Sequence, residues 1–294
     1  MPEGDTIFRA ARALQKSLAG KVVTGFETTL AKLASVDDQS PIVGRTVERV
    51  EARGKWCLIF FSGDLILLTH MRMSGSWHLY KIGERWQAPR NAMRVVITCG
   101  SVHAVGFSVP VAEFHTARSL ERSSHVSGLG LDVLDAAYRV GEAARAMREF
   151  GRAHPDAEIA NVLLNQRVIA GIGNIFKSEI VFAAAVNPFR RMETISDREL
   201  ERIAEIAQRY MQASVAEEKA QGIATYAGNR STTGARDRGA RLWVYRRQGQ
   251  ECRRCGAIIE MRRQGTGARS TYWCPSCQPW FEAEKPHLIS RESH

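Results

Sequence analysis

The chain has 294 residues, which is enough for two domains, and its 44% apolar and 24% charged composition excludes disordered and fibrous proteins. Forty-one Lys and Arg residues against 31 Asp and Glu residues give a net charge of +10. This excess favours a polyanionic partner, nucleic acid first and an anionic membrane surface second. No stretch approaches the roughly 20 apolar residues that cross a bilayer, and acidic residues follow Met1 where a secretory signal would be basic. We therefore expect a cytoplasmic protein without a membrane anchor.

The first predicted element is a helix from Asp5 to about Leu18, because apolar residues recur there at helical spacing. Asp5 or Thr6 is expected to cap its start, and Gly20 to end it. Pro2 lies three residues before Asp5, so we expect it just before the N-terminus of this helix.

Pro2 has a chemical use if Met1 is removed, as the small residue after it permits. A terminal proline is a secondary amine that can add to an aldehyde carbon and form an iminium, and it titrates about two pH units below lysine. Glu3 then lies beside it and can move protons as a general acid or base. The alternative is that Pro2 and Glu3 are only an ordinary translation start.

From 21 to about 114, short runs rich in Val, Ile and Phe alternate with Gly, Ser and Asp, which predicts a β-sandwich or barrel. Lys55 opens the run Trp56–Phe61, and His70 precedes a turn from Met71 to Gly75. A lysine at a strand end is more often a surface residue than a ligand, and a single histidine is more often structural.

The second half is predicted to be mainly helical, with segments Tyr138–Gly151, Ala157–Leu164, Asn174–Ala184 and Ser196–Lys219. A glycine-bearing turn, residues 165–174, separates the second segment from the third. Gly171 and Gly173 there allow close approach of a ligand, and Asn174 can cap the following helix, whose start favours a phosphate. A purely steric reason for the two glycines is an equal alternative.

Residues 221–241 combine four glycines with Ser, Thr and four arginines, a composition typical of a mobile basic loop. Two C-x-x-C pairs follow, Cys252 with Cys255 and Cys274 with Cys277, at a spacing that predicts one structural zinc held by four thiolates. The other two cysteines, Cys57 and Cys99, are predicted to be core thiols because they lie in apolar runs.

Strands Ile258–Arg263 and Arg269–Trp273 are expected to pair between the two cysteine pairs as a zinc-clamped hairpin. The hairpin and its first cysteine pair carry several cations, and phosphate contact is their natural use. A solvated basic face is the alternative. The cations are Arg253, Arg254, Arg262, Arg263 and Arg269.

In this order on one chain, the features resemble the formamidopyrimidine-DNA glycosylase and endonuclease VIII family over essentially the whole length. The matching features are Pro2-Glu3, Gly54-Lys55, the His70–Gly75 turn, the segment Leu163–Asn174, and the zinc ribbon with Arg269-Ser270-Thr271. The resemblance implies an α+β multidomain fold with an N-terminal helix and β-sandwich, a helix-two-turns-helix domain and a C-terminal zinc ribbon. The expected divisions are a catalytic domain 1–124, a linker 125–137, a helical domain 138–241, a zinc finger 242–282 and a tail 283–294.

The resemblance also implies roles for individual residues. Pro2 is the Schiff-base nucleophile that attacks C1′ of a damaged nucleoside, and Glu3 donates and accepts protons at the sugar. Lys55 and Arg269 contact phosphates and donate protons in the elimination steps. His70, Met73 and Asn174 bind DNA, with His70 and Asn174 at phosphates and Met73 filling the space that the extruded base vacates.

Two departures from the purine-specific pattern favour the endonuclease VIII branch, whose main substrates are oxidised pyrimidines. Gly4-Asp5 replaces Leu-Pro, and the region 106–114 contains no arginine to contact the opposite base. The expected protein is a bifunctional glycosylase and abasic-site lyase that acts on duplex DNA as a monomer, with one zinc ion and no redox cofactor, in the bacterial cytoplasm at the nucleoid. The alternatives are an oxidised-purine glycosylase of the same fold and a non-catalytic zinc protein that binds damaged DNA.

Overall fold

The computed structural model describes residues 2–216, 223–224, 232–233 and 241–280. Within these residues, the helices are α1 (Gly4–Leu18), α2 (Ala31–Gln39), α3 (Ala117–Glu121), α4 (Val140–Ala153), α5 (Ile159–Leu164), α6 (Asn174–Ala183) and α7 (Asp197–Ala216). The strands are β1 (Val23–Thr28), β2 (Val47–Arg53), β3 (Trp56–Phe61), β4 (Leu65–His70), β5 (Ser76–Lys81), β6 (Met93–Cys99), β7 (Val102–Phe107), β8 (Val111–His115), β9 (Leu131–Asp132), β10 (Ile169–Ala170), β11 (Ile223–Ala224), β12 (Glu260–Gln264) and β13 (Arg269–Trp273).

The N-terminal lobe is a sandwich of two antiparallel sheets, which confirms the predicted β-sandwich. One sheet has the order β1-β6-β7-β5-β11 and the other has the order β2-β3-β4-β8. The side chains between the sheets pack with the buried stripe of α1, which comprises Ile7, Ala10, Ala11, Leu14 and Leu18. Burial of this stripe is the main stabilisation of the helix, since apolar area removed from water contributes about 25 cal/mol per Å².

Strand β3 is apolar on both faces, and the structure shows why. Cys57 and Phe61 point into the core between the sheets, whereas Leu58 and Phe60 pack in a second cluster with Leu120 of α3. A strand that is covered on both sides reads as a continuous apolar run instead of an alternating one. The outer face of this sheet is therefore closed by α3.

The predicted cap of α1 is wrong. The helix begins at Gly4, Glu3 occupies the N-cap position, and no side chain caps the first turn. Asp5 lies inside the first turn, where its carboxylate accepts a hydrogen bond from the Ser214 hydroxyl of α7 at 2.7 Å. Gly20, with φ of +77°, follows the last turn, so the predicted end of the helix is confirmed.

The helical lobe has its own core, formed by the buried faces of α4, α5, α6 and α7. The four predicted helices are all present. Helix α4 begins and ends two residues later than predicted and α5 begins two residues later, while 217–219, the predicted end of the last helix, lie outside the described residues. Helix α2 was not predicted, because only Leu33 of its nine residues is buried and it shows no clear periodicity. The parallel pair β9 and β10 connects the segment after the sandwich to the turn before α6.

The two lobes are in direct contact through α1 and α7. Arg9 donates to the carbonyl of Ser214 at 3.4 Å, and Arg12 donates to the carbonyl of Val215 at 2.9 Å. These carbonyls belong to the last turn of α7, where the helix dipole favours cations. Among the described residues, no helix is long and apolar enough to cross a bilayer.

Candidate active site

Glu3 connects the start of the chain to the helical lobe. Its side chain is fully buried, and its carboxylate accepts hydrogen bonds from the backbone amides of Ile175, at 2.7 Å, and Phe176, at 3.2 Å. These amides belong to the first turn of α6, where the positive end of the helix dipole stabilises an anion. Pro2 is buried next to it, so the predicted nucleophile and the predicted acid lie where the lobes meet.

The glycines of the 165–174 turn make this contact possible. A Cβ on Gly173 would lie 2.3 Å from Cδ of Glu3, so any side chain there would displace the carboxylate. Gly4 donates from its amide to the carbonyl of Gly171 at 2.8 Å, and a Cβ on Gly4 would lie 2.7 Å from the Gly171 Cα. The close approach predicted for these glycines is therefore real, but the group that approaches is the N-terminal segment of the same chain.

Asn174 does not cap α6, so that part of the prediction is wrong. Gly173 holds the N-cap position, and Asn174 is the first helical residue. Its Nδ2 donates to the carbonyl of Ser270 in β13 at 2.9 Å. Its Oδ1 is buried and has no hydrogen-bond partner in the part of the chain that the structure describes. The amides expected to bind a phosphate at this helix start are occupied by Glu3.

Lys55 lies in the tight turn between β2 and β3, and this turn packs against the helical lobe. Gly54, with φ of +58°, donates from its amide to the Asp132 carboxylate at 2.6 Å. A Cβ on Gly54 would lie 3.2 Å from Cβ of Ala170. Asp132 was not anticipated from the sequence, and burial raises the pKa of its carboxyl. It fixes the Lys55 turn against the 165–174 turn.

His70 ends β4 beside Lys55, and it is a neutral imidazole at pH 7. Burial, together with the nearby Lys55, Arg72 and His125, lowers its pKa to about 4. Its Nδ1 accepts a hydrogen bond from the Arg72 amide at 2.9 Å, which leaves the proton on Nε2. Nε2 can therefore donate one hydrogen bond to a phosphate.

Met73 lies at the tip of the turn after β4 and is 61% exposed. The Gly75 amide donates to the carbonyl of Met71 at 2.8 Å, and this bond closes the turn beneath Met73. The region without arginine, 106–114, contains only a short connection from Ser108 to Pro110 between β7 and β8. No extended loop forms there because the rest of the region belongs to the two sheets.

The four cysteines form a cluster in the hairpin unit. Their sulfur atoms all lie within 4.8 Å of one another, and the Sγ atoms of Cys255 and Cys274 are 3.5 Å apart. Four thiolates around one zinc, each about 2.3 Å from the metal, have this kind of spacing. The cluster therefore fits one structural zinc.

Strands β12 and β13 pair as predicted, with Gln264 opposite Arg269. Arg269 is exposed at the start of β13, one residue before the carbonyl that binds Asn174. Two of the predicted phosphate-binding arginines also have contacts within the protein. Arg254 lies 4.4 Å above the Phe182 ring, and Arg253 donates to the carbonyl of Leu242.

Two buried charged residues of α6 were not anticipated from the sequence. Lys177 donates from Nζ to the Thr271 hydroxyl of β13 at 2.6 Å. Glu179 accepts hydrogen bonds from the amides of Trp243, Val244 and Tyr245, which hold the chain at the start of the hairpin unit. Helical periodicity predicts apolar residues at buried positions of α6, so it gives no sign that these two charged residues are buried. The sequence shows only that they lie in an otherwise apolar segment.

The loop predicted at 221–241, including residues 227–237 as a cover for an extruded base, lies largely outside the described residues. Thr232 is described, and its hydroxyl donates to the Glu179 carboxylate.

The site thus brings together buried Pro2, the Glu3 carboxylate on a helix start, the turn that carries Lys55 and the start of β13 that carries Arg269. Its centre is the 165–174 turn, which contacts Gly4, Gly54 and, through Asn174, Ser270. Once Met1 is removed, such an arrangement offers an amine next to a carboxylate, with a cation on each of two elements that meet the same turn.

Comparison with known proteins agrees with this geometry. Residues 1–110 match the model of the formamidopyrimidine-DNA glycosylase N-terminal domain, 129–226 match its helix-two-turns-helix domain, and 249–279 match the zinc finger found in these enzymes and in isoleucyl-tRNA synthetase. The fold resembles the solved Lactococcus lactis formamidopyrimidine-DNA glycosylase in complex with DNA that contains an abasic site. In that comparison the TM-score is 0.77 at 19% identity, over 95% of this chain and 100% of the other.

Curated relatives are more similar in sequence. A probable endonuclease 8 2 of Streptomyces coelicolor is 36% identical over 95% of this chain and 94% of the relative. The DNA-(apurinic or apyrimidinic site) lyase Nei2 of Mycolicibacterium smegmatis is 34% identical over 95% of this chain and 99% of the relative. The chain therefore belongs to the formamidopyrimidine-DNA glycosylase and endonuclease VIII family, whose members are DNA glycosylases with abasic-site lyase activity.

Proposed function

We propose that the protein is a bifunctional DNA glycosylase and abasic-site lyase that removes oxidised bases, mainly pyrimidines, from duplex DNA in base excision repair. The observation that carries this proposal is that Pro2 is buried and that the neighbouring Glu3 carboxylate accepts hydrogen bonds from two amides in the first turn of α6. An ordinary translation start has no reason to bury its second and third residues at the junction of two lobes.

In the proposed reaction, the Pro2 nitrogen attacks C1′ and the N-glycosidic bond breaks, so the base leaves with the bonding electron pair and takes up a proton. Glu3 supplies or relays the proton at the sugar. The C1′–O4′ bond of the sugar ring then breaks as O4′ takes up the proton that Glu3 supplies, and the iminium that forms acidifies the C2′ hydrogen. Loss of that proton breaks the C3′–O bond, and a second elimination breaks the C5′–O bond. Water then hydrolyses the iminium and regenerates the amine.

The remaining predicted residues are proposed to hold the DNA. Lys55 and Arg269 contribute positive charge at the phosphates, and neutral His70 contributes one hydrogen bond from Nε2. Asn174 donates from Nδ2 to the Ser270 carbonyl, and the second hydrogen on Nδ2 can donate to a phosphate. Met73 fills the space of the extruded base, a use consistent with a large apolar side chain that is 61% exposed.

The proposed architecture keeps a catalytic domain at 1–124, a linker at 125–137, a helical domain at 138–241, a zinc finger at 242–282 and a tail at 283–294. Two separate apolar cores support the division between the first and third segments. We further propose that the protein acts as a monomer in the cytoplasm and associates with the nucleoid, because its charge of +10 favours DNA.

The proposal is tested by borohydride reduction in the presence of a duplex with one abasic site. We expect a covalent adduct that maps to Pro2, and no adduct from protein shown by mass to begin at proline would contradict the enzyme. Glu3→Gln keeps the size of the side chain and removes its charge, so it should reduce base excision strongly. Glu48→Gln, at an exposed strand position, is the matched control and should retain activity.

A substrate panel decides the branch of the family. Duplexes that contain dihydrouracil, thymine glycol or 8-oxoguanine should be cut with preference for the first two. A preference for 8-oxoguanine would replace the pyrimidine assignment with the oxidised-purine alternative, and specific binding without cleavage would favour a non-catalytic protein.

A further inference from the structure

Lys177 lies in the interior of the site, and the proposed reaction assigns it no role. It lies on α6, one turn after Asn174, and its side chain is fully buried. Its Nζ donates to the Thr271 hydroxyl at 2.6 Å and lies 3.4 Å from the Ser270 carbonyl. Both partners belong to β13, the strand that begins with Arg269.

The amine is one end of a buried polar network. The Thr271 hydroxyl donates a hydrogen bond to Oε1 of Gln264 at 2.7 Å. Nε2 of Gln264 then donates to the Glu158 carboxylate at 2.7 Å and to the Pro188 carbonyl at 3.0 Å. The network therefore joins α6, the zinc hairpin and the residue before α5, and every link is a hydrogen bond between named atoms. Buried polar groups that are satisfied in this way fix one arrangement of the elements they connect.

Three charged groups on other elements face the amine: Glu3 at the start of α1, Glu158 before α5, and Arg269 on β13. Burial lowers the pKa of Lys177 to about 7, an effect that Arg269 reinforces and that the two carboxylates oppose. Lys177 is therefore partly protonated at neutral pH, unlike an exposed lysine, whose pKa is about 10.4.

We propose that Lys177 is a positioning residue for DNA binding: it holds β13 against α6, sets the position of Arg269 relative to Asn174, and places a titratable charge behind both. This proposal rests on the proposed function, because it assigns a phosphate to Arg269 and Asn174. The protonated amine adds positive potential to this face, and the neutral amine keeps the hydrogen bond to Thr271 but loses that potential.

The consequence is a pH dependence of DNA affinity. A bound phosphate stabilises the protonated amine, so binding takes up part of a proton when the free protein is near its pKa of about 7. Affinity should fall as pH rises through that value. The expected loss is about tenfold if phosphate raises the Lys177 pKa by about one unit.

The experiment measures the Kd for a duplex with a stable abasic-site analogue, from about one pH unit below to about two units above the Lys177 pKa. Wild type is compared with Lys177→Arg, charged at every pH, and Lys177→Met, neutral at every pH. We expect wild type to resemble the arginine variant at the acidic end and the methionine variant at the basic end. Both variants should give flatter profiles than wild type. Lys81→Met, at an exposed position, is the matched control and should retain the wild-type profile.

Zinc content and far-UV circular dichroism of each variant report whether the hairpin unit is folded. If Lys177→Met loses zinc, the comparison of Lys177→Arg with wild type still decides the proposal through the pH profile. A wild-type profile that the arginine substitution leaves unchanged would overturn the role of Lys177. Borohydride trapping of wild type at one pH reports the proposed function separately, because an adduct with pH-independent affinity would contradict only the inference about Lys177.

Discussion

The Asp5 carboxylate accepts a hydrogen bond from the Ser214 hydroxyl at 2.7 Å, and both side chains are buried. This bond connects the first turn of α1 to the last turn of α7, and so connects the lobe that carries Pro2 to the helical lobe. The bond also gives a structural reason for one departure from the family pattern, the aspartate at position 5. An aspartate at position 5 can anchor α1 to the other lobe, whereas a proline has no acceptor side chain.

Ser214→Ala should destabilise the protein, because the buried Asp5 carboxylate loses one of its donors. A hydrogen bond to a charged group contributes about 1.5–3 kcal/mol, and the remaining partners of the carboxylate, Thr6 and Arg9, offset part of the loss. Urea unfolding should show a decrease of about 1–2 kcal/mol in the free energy of unfolding. An unchanged free energy would mean that this hydrogen bond contributes nothing to stability.

Gly173→Ala should abolish base excision, because its Cβ would lie 2.3 Å from Cδ of Glu3 and would displace the carboxylate. Gly141→Ala is the matched control. It adds the same methyl group to helix α4, where no atom lies within 4 Å, and alanine there should be stabilising by up to about 1 kcal/mol. Excision of dihydrouracil from a duplex measures both variants, and an active Gly173→Ala would show that Glu3 needs no fixed position.

His70 should make stability depend on pH on the acidic side. Its pKa falls from 6.5 to about 4 on folding, so the unfolded chain binds more protons between these values. Stability is therefore complete above about pH 6.5 and decreases as pH falls toward 4, by about 2–3 kcal/mol in total. The free energy of unfolding is measured across this pH range for wild type and His70→Gln. The difference between the two slopes against pH gives the contribution of His70. Equal slopes would contradict a neutral imidazole in the folded protein.

Zinc removal should unfold the hairpin unit and leave the two lobes folded. The cysteine cluster shares its small core with Phe182 of α6, and structural zinc sites of this size depend on the metal for folding. Chelation should release the Ser270 carbonyl from Asn174 and reduce DNA affinity, with most of the far-UV signal retained. Cys255→Ser should have the same effect, whereas Cys99→Ala, in the sandwich core, should keep its zinc.

Arg269→Ala should flatten the salt dependence of DNA binding by about 0.9 in the log-log slope, the contribution of one phosphate contact in B-form DNA. Arg254→Ala is the comparison, because Arg254 lies over the rings of Phe182 and Trp243. This variant should be less stable than wild type but should keep the wild-type salt dependence of DNA binding. An unchanged slope for Arg269→Ala would remove this residue from the phosphate contacts.

The sequence was sufficient where the signal was local. The spacing of four cysteines predicted the zinc cluster and its hairpin, and apolar periodicity predicted the helices to within a few residues. The sequence alone was misleading at the start of α6. Glycine, asparagine and a helix start indicated a phosphate site, but the anion at these amides is Glu3, which lies 172 residues away in the chain.

Asp132 and Lys177 were missed for a related reason. Each is a charged residue whose partners come from distant parts of the chain, Gly54 for the first and Thr271 for the second. No periodicity or motif marks such a pair, because the contact exists only after the lobes and the hairpin unit have come together.

The bonds from Glu3 to Ile175 and from Asn174 to Ser270 have a consequence for biosynthesis. Glu3 and Ser270, the two ends of this chain of contacts, are 267 residues apart, so Glu3 is synthesised long before Ser270. Domains fold as units during synthesis, so the sandwich can form before the hairpin unit has been made. Until Ser270 has left the ribosome, Asn174 lacks the acceptor that holds it in the finished structure, and the proposed chemistry of Pro2 is delayed until the hairpin unit has folded.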